Sequence, residues 1–257
     1  MTDGPRRNRL YLVRHCEVFN PEGILYGHLP GFRLSERGLR QAHAIGRHLR
    51  GRPIRQIYTS PLQRAQETAA VIASYLDGVE VTTTAELIEA EFSHYLEGVK
   101  PRDVPWRRPL WLVHMVRPGL LRGDEPVPAL AARVRAPLDR LLRDHPDAEG
   151  LCVSHGDPIQ AFWVEADGRS PMALHRLQCL KGGMLELDYE EGRLTGKSYR
   201  PPEEIDQSEL PDPALPPLPA SPEREPEAAP TGSSSRSGTA PAAGTASAAS
   251  SLPSSTS

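Results

Sequence analysis

Apolar positions along the first two hundred residues fall into short runs and helical periods. Leu10-Tyr11-Leu12-Val13 is an unbroken apolar run, the pattern of a strand buried on both faces. A Gly/Pro-rich loop follows at 21–30. Leu39, Ala42, Ile45 and Leu49 then recur at helical spacing behind Ser35, a residue suited to cap a helix, with Gly38 in its first turn. Residues 54–58 predict a second strand. Ser60-Pro61 predicts a helix start, because serine caps well and proline fits the first turn. Its apolar face would carry Ala65, Ala69, Val71, Ile72 and Tyr75. Residues 79–83 predict another strand. Leu130, Val134, Leu138 and Leu142 mark a helix over 128–142, and 151–153 a buried strand ending in Ser154-His155-Gly156. Runs at 184–189 and 194–199 flank Glu190-Glu191-Gly192, the signature of a β-hairpin. Residues 86–125 show little periodicity, and about 90–125 reads as a lid or insertion. Strands alternating with helices imply a layered α/β sheet with parallel pairs. No internal repeat interrupts this order.

Composition divides the chain near residue 200. No aromatic residue follows Tyr199, and 12 of the 27 prolines lie at 201–257 among Ala, Ser, Gly and Thr. Such a stretch buries too little apolar surface to offset the entropy of ordering. The expectation is one domain over 1–200 and a disordered Pro/Ala/Ser-rich tail over 201–257. The whole chain is net −3, but 201–257 holds eight acids against Arg224 and Arg236, so the body is net +3. That balance suits a small anionic ligand and is too weak to argue for nucleic acid. The run at 10–13 is broken at once by Arg14, so no secretory signal is read, and no run is long enough to span a membrane. Cys16, Cys152 and Cys179 are odd in number and widely spaced. They predict reduced thiols in a cytoplasmic protein, neither a disulfide framework nor a zinc site.

Candidate chemistry collects at strand ends. One strand delivers Arg14-His15, another Ser60-Pro61 and then Arg64, and a later one Ser154-His155-Gly156. Ligands of open α/β sheets bind beyond the carboxyl ends of the strands. Two arginines and two histidines converging there would suit a phosphate dianion, because guanidinium forks match phosphate oxygens and histidine can act as a nucleophile.

These blocks resemble a known family. Residues 12–20, Leu-Val-Arg-His-Cys-Glu-Val-Phe-Asn, are similar to the R-H-G-E-T-x-x-N signature of the histidine phosphatase superfamily, phosphoglycerate mutase-like branch. Residues 60–68 resemble its S-P-L-x-R-A-x-E-T block, 153–156 its V-S-H-G block, and 34–42 its L-T-x-x-G-x-x-Q-A helix. The blocks occur in family order and cover about 9–200. The resemblance implies a three-layer α/β/α fold with a mostly parallel central sheet. It implies that His15 attacks phosphorus and becomes phosphorylated. Arg14, Arg64 and His155 would clamp the phosphoryl oxygens, with Asn20 and Gly156 completing the phosphate site. A carboxylic acid would protonate the leaving oxygen and then activate water. No metal and no cofactor is implied. The acid falls in a block like L-x-E-x-x-x-G-x-x-E-G, which makes Glu89 the first candidate and Glu91 and Glu97 the alternatives.

The departures from the pattern define the open readings. Cys16 replaces a glycine, as a benign substitution if its φ is negative or as a redox-sensitive thiol lowered by neighbouring cations. Val18 replaces a threonine and removes one hydroxyl. Asn20, before Pro21, is also a turn former. Trp106 and Trp111 read as lid packing ahead of a substrate platform. Arg107, Arg108, Arg117 and Arg122 read as solvated, and Gly123-Asp124-Glu125 as a helix-start signal. The remaining histidines read as ordinary, with His94 the exception to watch because it lies in the acid block. The function expected is hydrolysis of a small phosphorylated metabolite through a phosphohistidine. The alternatives are a phosphoglycerate mutase, disfavoured because no long basic insertion follows the acid, and a non-catalytic binder of phosphorylated ligands. Oligomeric state has no signature here.

Overall fold

Strand β1 (Arg7–Arg14) sends successive side chains to opposite faces of its sheet. Tyr11 and Val13 enter one core, Leu10 and Leu12 the other. An apolar run with no alternation is therefore what a central strand between two helical layers requires. The computed structural model describes residues 6–206. After β1 come α1 (Glu36–Leu49), β2 (Ile54–Thr59), α2 (Gln63–Ala73) and β3 (Glu80–Thr83). Three short helices, α3 (Ser93–Leu96), α4 (Val104–Arg107) and α5 (Trp111–Val116), occupy the segment expected to be a lid. The chain continues through α6 (Val127–Asp144), β4 (Glu149–Ser154), α7 (Gly156–Ala166), the hairpin β5 (Met184–Glu190) and β6 (Arg193–Arg200), and α8 (Pro202–Asp206).

The six-stranded sheet has the order β3-β2-β4-β1-β5-β6. Strands β3, β2, β4 and β1 run parallel, while β5 pairs antiparallel with both β1 and β6. The α/β class and the mostly parallel sheet are as expected. Helices α1, α2 and α8 contribute Ala42, Ile45, Leu49, Ala65, Ile72 and Ile205 to the core on one face. Helices α6 and α7 contribute Val134, Leu138, Ile159 and Phe162 on the other. Ser35 caps α1 as predicted, its hydroxyl accepting from the Gly38 N–H at 3.0 Å.

Three local expectations are corrected. Ser60-Pro61 does not start α2, which begins at Gln63 with Leu62 at its cap. The Ser60 hydroxyl meets His155 Nε2 at 2.7 Å and accepts from the Leu62 N–H, just ahead of the helix, at 3.3 Å. Gly123-Asp124-Glu125 is not a helix-start signal, because Asp124 binds the buried His114 at 2.8 Å and Glu125 pairs with Arg133. The tail does not begin at 201. Residues 202–206 form α8, and Ile205 is 1% exposed in the core beside α1. Burial of Ile205 favours the order of this turn, although the composition of the stretch as a whole predicts none. The rest of the expected tail, 207–257, lies outside the described residues.

Ile205→Ala tests the later boundary. Removing a buried isoleucine beyond its β-carbon costs 2–5 kcal/mol, and a short terminal helix collapses easily, so a loss of about 2 kcal/mol is expected in urea unfolding. No loss would mean that α8 adds nothing to the fold.

Candidate active site

Neighbouring strands β1, β4 and β2 end side by side, and their ends are tied. The His15 N–H donates to the Ser154 carbonyl at 2.9 Å, and the Ser60 N–H to the Val153 carbonyl at 3.0 Å. Three distant segments therefore place His15, Ser60 and His155 at one edge. His15 and His155 are both buried, with ring centroids 5.1 Å apart.

The tautomer of His15 follows from its partners. Its Nδ1 lies 2.7 Å from the Cys16 carbonyl oxygen. A carbonyl only accepts, so Nδ1 carries the proton and Nε2 keeps the lone pair. The Arg64 Nε–H donates to that Nε2 at 3.2 Å. Burial, with Arg64 and Arg14 beside it, holds His15 well below the usual histidine range. The ring is thus neutral and oriented, as a nucleophile must be.

Arg64 is buried as well. Its Nη2 donates to the Gly27 carbonyl at 2.8 Å and faces His155 Nδ1 at 3.2 Å. Its guanidinium lies over the Tyr26 ring, 4.8 Å from the centroid. Since Arg64 can only donate, His155 Nδ1 is an acceptor and its Nε2–H donates to Ser60. Burial, together with Arg64 and His15, lowers the His155 pKa well below the usual range. Arg14 donates through Nη1 to the Cys179 carbonyl at 2.6 Å, and its buried Nε has no hydrogen-bond partner among the described residues. Gly156 opens α7 against that guanidinium. A β-carbon there would stand 3.1 Å from Arg14 Cζ, so glycine makes room for the arginine.

Of the three candidate acids, Glu89 is the one that shares a cavity with Arg14 and His15. The cavity is about 510 Å³ and is also lined by Asn20, Asp157, His175 and Lys181. Withdrawal from water and repulsion from Asp157 push Glu89 up to about 7, against the Ala90 N–H, Arg14 and Arg64, which favour the charged form. The chain leading to it is fixed. Leu87 is fully buried, its carbonyl accepts from the Ser154 hydroxyl at 2.8 Å, and Arg133 donates to the Glu86 and Ile88 carbonyls, each at 2.8 Å. Glu91 is 60% exposed beside His94, and Glu97 accepts from the His28 N–H at 2.7 Å. Neither alternative lines the cavity with His15.

The remaining predicted residues divide. Asn20 lines the cavity, but its amide closes the loop around Ile24, donating to that carbonyl at 2.8 Å and accepting from that N–H at 3.2 Å. Cys16 has no positive φ and is fully buried, and burial pushes its thiol up to about 12. The cations that lower His15 do not reach it, so the substitution is the benign one. Trp106 is 86% exposed and packs no lid, whereas Trp111 lines the cavity. Arg108 is not simply solvated, since it donates to the Tyr95 carbonyl and stacks on that ring. Asp157 and Lys181 were not singled out from the sequence. Asp157 directly follows the Ser-His-Gly block, which was a usable signal. Lys181 gave none, because only the turn at 180–183 brings it back to the end of β1.

The arrangement can hold a tetrahedral oxyanion between guanidinium groups, present an imidazole lone pair to it, and supply a proton from a carboxyl. A mostly parallel α/β sheet with two histidines and two arginines beyond its strand ends defines a protein built to bind a small anion there. The sequence profile of the histidine phosphatase superfamily (branch 1) matches residues 10–200, and the chain belongs to that superfamily. It is 37% identical over 204 residues to the uncharacterized protein Rv0525 of Mycobacterium tuberculosis, covering 77% of this chain and 98% of the relative. It is 30% identical over 188 residues to the "Probable phosphoglycerate mutase GpmB" of Yersinia enterocolitica, covering 71% of this chain and 86% of that one. The crystal structure of the alpha-ribazole phosphatase from Shigella flexneri superposes with a TM-score of 0.60 at 25% identity, covering 73% of this chain and 93% of that one. No helix of the described residues is long and apolar enough to cross a membrane.

The buried thiol makes a direct test. Iodoacetamide applied to the native protein near neutral pH is expected to leave Cys16 unmodified, as read by peptide mass spectrometry. Rapid alkylation of Cys16 would show a reactive thiol and restore the redox reading.

Proposed function

We propose that the protein is a phosphatase that hydrolyses a small phosphomonoester through a phosphohistidine on His15. The observation that carries this reading is the His15 ring, neutral, pinned at Nδ1 by the Cys16 carbonyl, with its Nε2 lone pair turned to Arg64. An arriving phosphoryl group takes over the N–H donors of Arg64 and releases that lone pair. Nε2 then bonds to phosphorus as the ester P–O bond breaks, and protonated Glu89 gives its proton to the leaving oxygen. Nδ1 keeps its proton, so the Cys16 carbonyl stabilises the positive ring that results. In the second half Glu89, now a carboxylate, takes a proton from water. The water oxygen attacks phosphorus, the P–N bond breaks, and His15 returns neutral with inorganic phosphate. Arg14, Arg64 and His155 hold the equatorial oxygens throughout. Metal is not required by this scheme, because the guanidinium groups supply the charge that Mg²⁺ gives elsewhere.

The cavity supports hydrolysis over the mutase reaction. Its lid side is Phe92, Ser93, Leu96, Val104, Trp111, His114 and Met115, with no arginine or lysine. A mutase must hold a substrate with two anionic groups, and for the second the cavity offers Lys181 without any cation from the lid. The apolar wall fits a phosphomonoester whose organic part is at least partly nonpolar. The mutase remains the second reading, favoured by the name of the Yersinia relative.

A screen of phosphorylated metabolites against wild type and His15→Ala is expected to give phosphate release from one chemical class and none from the variant. With 3-phosphoglycerate and a bisphosphoglycerate primer, formation of 2-phosphoglycerate without matching phosphate release would overturn hydrolysis in favour of the mutase.

The Glu89 pKa sets the pH profile. The proton donor is present below about 7 and lost above it. For an alkyl phosphate, kcat/KM is expected to fall above about pH 7 in the wild type. In Glu89→Gln it is lowered roughly 10²- to 10⁴-fold, the usual worth of a positioned general acid, and that alkaline limb is gone. An unchanged limb in the variant would remove Glu89 from the role.

A further inference from the structure

A second cluster of titratable groups stands behind the cavity, on two segments whose other residues line it. His28 comes from the loop after β1, and His94 and Glu97 come one turn apart from the segment of α3. The two imidazoles are stacked, with centroids 3.9 Å apart and planes at 14°. Their Nδ1 atoms both face Glu97 Oε1, at 3.8 Å for His28 and 3.0 Å for His94. The three ligand-type atoms lie within 4.8 Å of one another.

The outer nitrogens explain why the inner ones point this way. His28 Nε2 lies 3.2 Å from the Glu89 carbonyl oxygen, which can only accept. That nitrogen therefore carries the proton, and Nδ1 presents a lone pair to the cluster, where the Ser93 hydroxyl meets it at 3.0 Å. His94 turns its Nε2 to the Glu91 carboxylate at 3.8 Å. The backbone carbonyl behind His28 is the outer contact that fixes a histidine tautomer around a bound metal, while His94, whose Nδ1 meets the Glu97 carboxylate at 3.0 Å, releases that proton when an ion binds.

From this geometry we propose that His28, His94 and Glu97 form a binding site for a divalent transition metal of the zinc type, separate from the phosphate site. Two imidazole nitrogens and one carboxylate oxygen give three protein ligands, with a fourth position left to water, once the half-exposed His94 ring turns out of the stack so that the ion lies in the plane of both rings. The nitrogen donors select zinc-like ions over Mg²⁺, which prefers an all-oxygen octahedron. The bound ion joins the loop at 21–30 to the lid segment at 93–97. Both supply cavity wall, through Ile24, Leu25 and Gly27 on one side and Ser93 and Leu96 on the other. No ionic bond to the catalytic groups is involved, although the His28 ring meets the backbone of Glu89.

The test uses the full chain without a polyhistidine tag, stripped with a chelator and titrated with Zn²⁺ by calorimetry and with Co²⁺ by visible absorption. Expected are one equivalent of Zn²⁺ bound, tetrahedral-type d–d bands with Co²⁺, and a higher thermal midpoint with Zn²⁺. His94→Ala removes a half-exposed side chain, so the fold is expected to survive. It and Glu97→Gln should each weaken Zn²⁺ binding at least tenfold, and His15→Ala should bind as the wild type does. The proposal is overturned if the wild type binds no Zn²⁺, if His94→Ala binds it unchanged, or if His15→Ala abolishes binding and so places the ion at the phosphate site.

Discussion

Arg64 is 1% exposed, and among the described residues its guanidinium makes no hydrogen bond to a carboxylate. Taking such a charge out of water costs several kcal/mol. The cost is offset by the Gly27 carbonyl, by the lone pairs of two histidines, by the Tyr26 ring, and at longer range by Glu89. Each of these partners must then sit where Arg64 needs it. The loop at 21–30 is drawn over the strand ends, and both imidazoles are held neutral with a lone pair turned inward. An anion bound beside it would relieve that unbalanced charge.

Rigid scaffolding surrounds this buried cation. Gly38 lies so close to Glu17 that a β-carbon there would stand 1.9 Å from the Glu17 carbonyl oxygen. The start of α1 therefore packs directly on the loop that follows His15. On the opposite side Arg133 grips the carbonyls before Glu89 and is itself held by Glu125. Within the lid, the buried His114–Asp124 pair stacks against Phe92 at 3.8 Å. The segment without periodicity is thus ordered by side chains rather than by repeated apolar faces.

His15, the two arginines and His155 were legible because each follows a strand that announces itself by an apolar run. Glu89 was legible only as one of three carboxylates, and burial and partners separated them. Ser60 was misread because a helix cap and a partner for His155 use the same hydroxyl, and sequence does not show which group arrives. Asn20 has the same ambiguity, with its amide spent on Ile24. Residues 202–206 were misjudged because averaging over a proline-rich tail hid one isoleucine with a place in the core.

His15 with Arg14, Arg64 and His155 follows from the sequence alone, since strand ends in an α/β sheet are fixed by hydrophobic pattern and the residue types by position along it. The tertiary structure decided their state. Whether an imidazole is neutral, which nitrogen holds its proton, how far a carboxyl is lifted toward 7 and whether a thiol is inert all depend on what is packed nearby and how much water is excluded. Those are properties of neighbours brought together from distant parts of the chain. The meeting of His28 with His94 and Glu97 belongs to the same class, because it exists only where a loop from one end of the fold is folded onto the lid.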